Sequence, residues 1–132
     1  MAAALVPELS VSDIGRSLAF YCQVLGFSVR YRRPAEGFAY LELGQAELML
    51  DQLGTSRDWV TGPLEPPLGR GINLQIAVAD LGPLLERLAV AGVELFQPAE
   101  TRTYLVGEQF ITQHQFCVQD PDGYLLRFCQ TG

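Results

Sequence analysis

Residues 11–27 read VSDIGRSLAFYCQVLGF and residues 78–93 read VADLGPLLERLAVAGV. Each stretch opens on a valine that ends an alternating run, passes through an aspartate, places apolar residues at helical spacing and closes on a glycine. Asp13 and Asp80 can cap a helix by accepting a bond from the orphan N–H groups of its first turn. Gly26 and Gly92 can take the left-handed conformation that ends one. The predicted apolar stripes are Ile14, Leu18, Tyr21, Cys22 and Leu25 in the first helix, and Leu81, Leu84, Leu85 and Leu88 in the second. Pro83 falls in a first turn, where a missing donor does little harm.

The flanks repeat as well. Before each helix lies an alternating strand, LVPELSV or INLQIAV. FSVRYRR, FAYLELG and AELMLDQ follow the first helix; VELFQPAETRTYLV, TQHQFCVQD and YLLRFCQ follow the second. The chain therefore reads β-α-β-β-β twice, as a single domain over residues 1–132 with one module at about 4–52 and another at about 71–130. A Gly- and Pro-rich linker of residues 53–70 joins them, longer than a routine connection.

Eight strands and two long helices predict an α+β fold: a curved eight-stranded sheet around a cleft, with the helices on the outer face. Strand parity then sorts the residues. Leu9 and Val11 face a helix, which turns Val6, Glu8 and Ser10 toward the cleft. Leu48 and Leu50 pack outward and leave Glu47, Met49 and Asp51 inside. Leu74, Ile76 and Val78 pack outward and leave Asn73, Gln75 and Ala77. In YLLRFCQ, Leu126 and Phe128 share the helix side, and Arg127 lies opposite with Leu125 and Cys129.

Composition narrows the partners. Of 132 residues 48% are hydrophobic, enough for a core without disulfides or metal staples. Nine basic residues, all arginine, stand against fifteen acidic ones for a net charge of −6, which argues against nucleic acid and tolerates a cationic small molecule. Cys22, Cys117 and Cys129 are odd in number, lack CxxC spacing and lie in apolar patterns, as reduced thiols of a cytoplasmic protein do. MAAALVPELS is apolar only briefly and has no basic n-region, and no run approaches the roughly 18 apolar residues of a membrane span. No membrane association is expected.

The doubled module, the start VSDIGRSLAFYCQVLGF and the DPDGY turn of residues 120–124 resemble the vicinal oxygen chelate superfamily. That family includes glyoxalase I, extradiol dioxygenases, fosfomycin-modifying enzymes and metal-free bleomycin resistance proteins. Its motifs specify fold more than chemistry. The resemblance implies metal ligands, in metal-using members, at positions that fall here on Val6, Asn73, Arg127 and one of Glu47, Met49 or Asp51. Valine has no donor atom and a permanently cationic arginine repels a metal ion. No metal and no cofactor are therefore expected. The resemblance also implies a homodimer in which modules of two chains lie side by side.

Arg127 admits two readings, an internal ion pair with Glu8 or Asp51, or direct contact with a ligand. His114 shares parity with Phe116 and Val118 and so lies outside the cleft. Without a histidine beside a serine or cysteine there is no activated nucleophile, and the glycines of GPLEPPLGRG lack Walker spacing and a lysine. Trp59, in the linker, is either a wall of the ligand cleft or an anchor for its own loop. Tyr40, Phe38, Phe96, Tyr104 and Phe110 are further aromatic candidates. The sequence thus leads to a small-molecule binding protein of the bleomycin resistance type, acting without metal and by sequestration of an antibiotic-like, cationic or planar ligand. The expected ligand residues are Glu8, Ser10, Tyr40, Met49, Asp51, Trp59, Asn73, Gln75 and Arg127, and none is catalytic. The alternative is a glyoxalase- or dioxygenase-like enzyme with a displaced or absent metal site, or a metal-free isomerase using Glu8 or Asp51 as base.

Overall fold

The structure, a computed structural model, describes residues 2–55 and 58–131. Its strands are β1 (Glu8–Val11), β2 (Ser28–Arg33), β3 (Phe38–Leu43), β4 (Ala46–Gln52), β5 (Asn73–Ala77), β6 (Gln97–Val106), β7 (Gln109–Gln119) and β8 (Leu125–Thr131). Helix α1 (Ile14–Leu18) follows β1, and helix α2 (Gly82–Val90) follows β5. The eight strands form two four-stranded mixed sheets, ordered β1-β4-β3-β2 and β5-β8-β7-β6. In each, the strand before the helix pairs in parallel with the last strand of its module, and the other pairs are antiparallel. The chain divides into two compact units, Met1–Leu68 and Gly69–Gly132, so the boundary falls inside the expected linker.

One face of each sheet carries a core. In the first unit Leu9, Val11, Leu41, Leu48 and Leu50 are buried, as are Phe20, Tyr21 and Leu25 of the helical segment. In the second, Ile76, Phe116, Val118, Leu126 and Phe128 are buried with Leu81, Leu84 and Leu88, while Leu85 is half-buried. These are the parities that the alternation dictates.

The first helix departs from the expected regular α-helix. After Leu18 the chain widens into a π-helical segment, Ala19–Val24, in which Leu25 N–H reaches back five residues to Phe20 O. The buried stripe shifts from the expected one: Ser17 in α1, together with Phe20, Tyr21 and Leu25, is buried, while Leu18 and Cys22 are half-buried. Aromatic packing accompanies the shift: Tyr21 meets Phe20 and Phe27 edge to face, with ring centroids 5.6 and 5.5 Å apart.

The helix starts show a second duplication. Asp13 Oδ1 accepts from Arg16 N–H at 3.1 Å, the expected N-cap, and Ile14 N–H donates to Gln52 Oε1 at 2.9 Å. In the second unit Leu81 N–H donates to Gln130 Oε1 at 2.8 Å. Asp80 sits one residue further out than a cap and accepts instead from Gly82 N–H at 2.9 Å. A glutamine at the end of each module's last strand thus satisfies a donor that its helix leaves open.

Candidate functional site

The sheet faces away from these cores carry the polar and aromatic residues. In the first unit the register aligns Glu8, Met49, Tyr40 and Tyr31 in one row across all four strands, and Ser10, Asp51, Phe38 and Arg33 in the next. Opposed residues share a face, so five expected site residues, Glu8, Ser10, Tyr40, Met49 and Asp51, stand together. Tyr31 joins them because its ring stacks on Tyr40, with centroids 5.2 Å apart.

A β-bulge between Val29 and Tyr31 decides what else reaches this face. Simple alternation sends Arg30 to the side opposite Tyr31; the extra residue brings both to one side. Arg30 then lies over the Tyr40 ring at 5.1 Å and pairs with Glu42 at 2.7 Å and Glu47 at 3.2 Å. Arg33 lies 3.9 Å from the Phe38 ring centroid. Tyr40 Oη–H donates to Glu47. That bond, with Ala3 N–H and Arg30, holds the Glu47 carboxyl below its ordinary pKa, and the same bond raises the Tyr40 phenol. Arg30, Tyr31 and Arg33 are not among the expected site residues, because no spacing rule marks a bulge.

The two remaining acids behave oppositely to Glu47. Asp51 is buried, and desolvation, reinforced by Asp58 and Glu36 and opposed by Arg33, raises its pKa. Glu8 is also raised, first by desolvation and then by the negative charge of Asp51. Trp59 follows β4 and is 67% exposed.

In the second unit Gln75, Arg127, Cys117 and Gln97 form one row, and Asn73 and Leu125 begin the neighbouring one. Arg127 Nε–H donates to Asn73 Oδ1 at 3.1 Å. The ion pair expected with Glu8 or Asp51 would join two units; within its own unit the arginine's hydrogen-bond partner is Asn73. Gln75, Tyr104, Val106, Ile111, Gln113 and Arg127 line a cavity of about 280 Å3. His114 lies on the other face of β7, with Nδ1 2.8 Å from Thr101 Oγ1, as its parity requires. Burial raises the thiols of Cys22, Cys117 and Cys129, the last two against the opposing charge of Arg127. All three are poor nucleophiles for that reason.

The position implied for a metal ligand at residue 73 is an asparagine whose oxygen is given to Arg127. Among the described residues, no three His, Cys, Asp or Glu side chains stand close enough to hold an ion.

Comparison with known proteins fits this architecture. Residues 4–128 match the family described as the glyoxalase/bleomycin resistance protein/dioxygenase superfamily. The chain belongs to that superfamily. It is 30% identical over 131 residues to proteins named bleomycin resistance protein from Geobacillus stearothermophilus and Staphylococcus aureus, covering 95% of this chain and 94% of each relative. TioX from Micromonospora sp. ML1 shares the fold, with a TM-score of 0.74 at 22% identity over 98% of both chains. An integron cassette protein from V. cholerae aligns at a TM-score of 0.69 and 26% identity, over 98% of this chain and 97% of the other.

Proposed function

We propose that this superfamily member captures a small molecule without metal and acts by sequestration, as a binding protein of the bleomycin resistance type. The observation that carries this reading is the first unit's polar face. There the stacked Tyr31 and Tyr40 rings lie in one row with Glu8, and Asp51 is in the next. Aromatic faces attract cations, and two guanidinium groups of this chain already lie over rings of this face. A flat or extended cationic ligand finds here a stacking surface in Tyr31, 45% exposed, and carboxylates for its charge. The names of the relatives at 30% identity support an antibiotic-like ligand.

The rest of the reading follows from the family and the chain's chemistry. No described helix is long and apolar enough to cross a membrane. Three free cysteines suit a reducing, cytoplasmic setting. A homodimer is proposed because module pairing between chains is what the family resemblance implies.

The rival is an enzyme of the same superfamily. Its metal-free form uses Glu8 or Asp51 as base, which the raised pKa of both carboxyls favours. A thermal-shift series separates the two: bleomycin, other cationic antibiotics and neutral planar aromatics, each with and without divalent ions. A ligand bound only by the native state stabilises it by about 2.7 kcal/mol at a hundred times its Kd. Expected are a metal-independent rise in Tm with a cationic planar compound, unchanged compound on recovery, a roughly two- to tenfold loss of affinity in Tyr31→Ala, and sedimentation at twice the 14.5 kDa chain mass. Stoichiometric metal in the purified protein, or a chemically altered compound, would instead establish the enzyme.

A further inference from the structure

We propose that the cavity in the second unit binds the carboxylate group of a small ligand, with Arg127 as its receptor. This rests on the reading that the chain binds small molecules, but it assigns this pocket the charge opposite to that of the ligand group expected at the first unit's face.

The guanidinium is held in place by its strand and by one neighbour. Arg127 lies on β8, an interior strand flanked by β5 and β7, and its Nε–H is committed to Asn73 Oδ1 at 3.1 Å. That bond fixes the guanidinium plane. The two Nη groups remain, and they form the end-on fork that matches the two oxygens of a carboxylate. Within the unit, no carboxylate among the described residues lies within ion-pair distance of Arg127. The acid on the same face, Glu100, is engaged elsewhere: it accepts from Gln115 Nε2 at 3.1 Å and from Gln97 Nε2 at 3.5 Å.

The neighbouring hydrogen bonds leave donors available to the cavity. Gln113 Nε2 donates to Gln115 Oε1 at 2.9 Å, and Gln115 Nε2 donates to Tyr104 Oη at 2.6 Å. Tyr104 therefore accepts from behind and keeps its own proton to give. The Gln75 amide has no partner among the described residues and lies beside Arg127 in the parallel register. A permanent cation, a phenolic donor and two amides converge on the lining. Such a site suits an anionic acceptor and repels a cation.

Size and the apolar wall complete the assignment. Val106, Ile111 and the Tyr104 ring offer an apolar surface, and about 280 Å3 lies at the small end of ligand pockets. The fitting group is a carboxylate on a compact apolar or aromatic body, either a whole small acid or the acid end of a larger ligand.

Three probes of one shape and different charge test this: benzoate, benzamide and benzamidine, titrated into the 15N-labelled full chain at constant ionic strength. Benzoate is expected to move the Gln75 and Gln113 side-chain amide resonances and the Arg127 Nε–H resonance saturably. Its Kd should be at least tenfold below that of benzamide, and benzamidine should leave those resonances unmoved. Arg127→Gln should abolish the benzoate response while keeping a dispersed spectrum, and Arg127→Lys should retain a weakened one. Equal responses to all three probes, or a benzoate response surviving in Arg127→Gln, would overturn the assignment. Should Arg127→Gln not fold, the probe series on the unaltered chain decides by itself. Binding of benzoate with no thermal shift from any cationic compound leaves the pocket standing and removes the cationic ligand; the reverse result removes only the pocket.

Discussion

Ser17 is fully buried in the middle of a helical turn, and its hydroxyl has no hydrogen-bond partner among the described residues. A buried hydroxyl without a partner costs about 1–3 kcal/mol of desolvation, and serine is also a poorer helix former than alanine. Ser17→Ala is therefore expected to stabilise the protein by about 1 kcal/mol, measured by urea denaturation; a loss of stability would reveal a partner for the hydroxyl. The apolar pattern points to Leu18 and passes over Ser17, because a serine carries no hydrophobic signal even though it lies in the regular α-helix one turn before the buried Phe20 and Tyr21. Arg127 illustrates the opposite case. Alternation within YLLRFCQ suffices to put it on the polar face, but its commitment to Asn73 depends on two strands 54 residues apart lying side by side.

At the scale of elements, the DPDGY turn sets the register of β8. Asp120 is buried, and its Oδ1 accepts from Asp122 N–H at 3.0 Å and Tyr124 N–H at 2.9 Å, while its backbone pairs with Tyr124 O and Gly123 N–H. A one-residue slip there would exchange Arg127 with Leu126 or Phe128 across the sheet, placing a guanidinium in the core. Asp120→Ala is expected to cost about 2–3 kcal/mol and Asp120→Asn about 1 kcal/mol, since both bonds end on Oδ1 and an amide oxygen there still accepts them, without the charge. Equal losses in the two variants, read from chemical denaturation, would mean that the turn does not depend on that oxygen. Gly69 adds a constraint on the same turn: with φ +72°, a Cβ there would come within 2.5 Å of the Tyr124 ring.

For the molecule as a whole, the buried carboxyl of Asp51 links stability to pH. Its folded-state pKa lies above its ordinary value near 3.8, chiefly through desolvation. The folded protein therefore holds that proton more tightly than the unfolded chain, and stability falls as pH rises from 3.8 through the raised value. Above this window the charged, poorly solvated carboxylate is a standing cost. Asp51→Asn is expected to raise stability at neutral pH, by on the order of 0.5 kcal/mol, with the gain vanishing as pH falls toward 4 (about the unfolded value). Thermal melts across that range provide the check, and a pH-independent difference would refute it. The same variant removes one carboxylate from the polar face, so a stability gain paired with weaker capture of a cationic compound would place the charge in service of binding.

The doubled β-α-β-β-β order, the strand parities, the polar character of Arg127's face and the turn before β8 were all determined by the sequence. They rest on local periodicity and on glycine, proline and aspartate chemistry, which act over a few residues. Tertiary structure alone decided the bulge that carries Arg30 and Tyr31 to one side, the π-helical turn that holds Phe20 and Tyr21, the glutamines that close each helix start and the donor-lined cavity around Arg127. Each of these depends on which strands become neighbours, and a linear pattern encodes which way a side chain faces but not which residue stands opposite it.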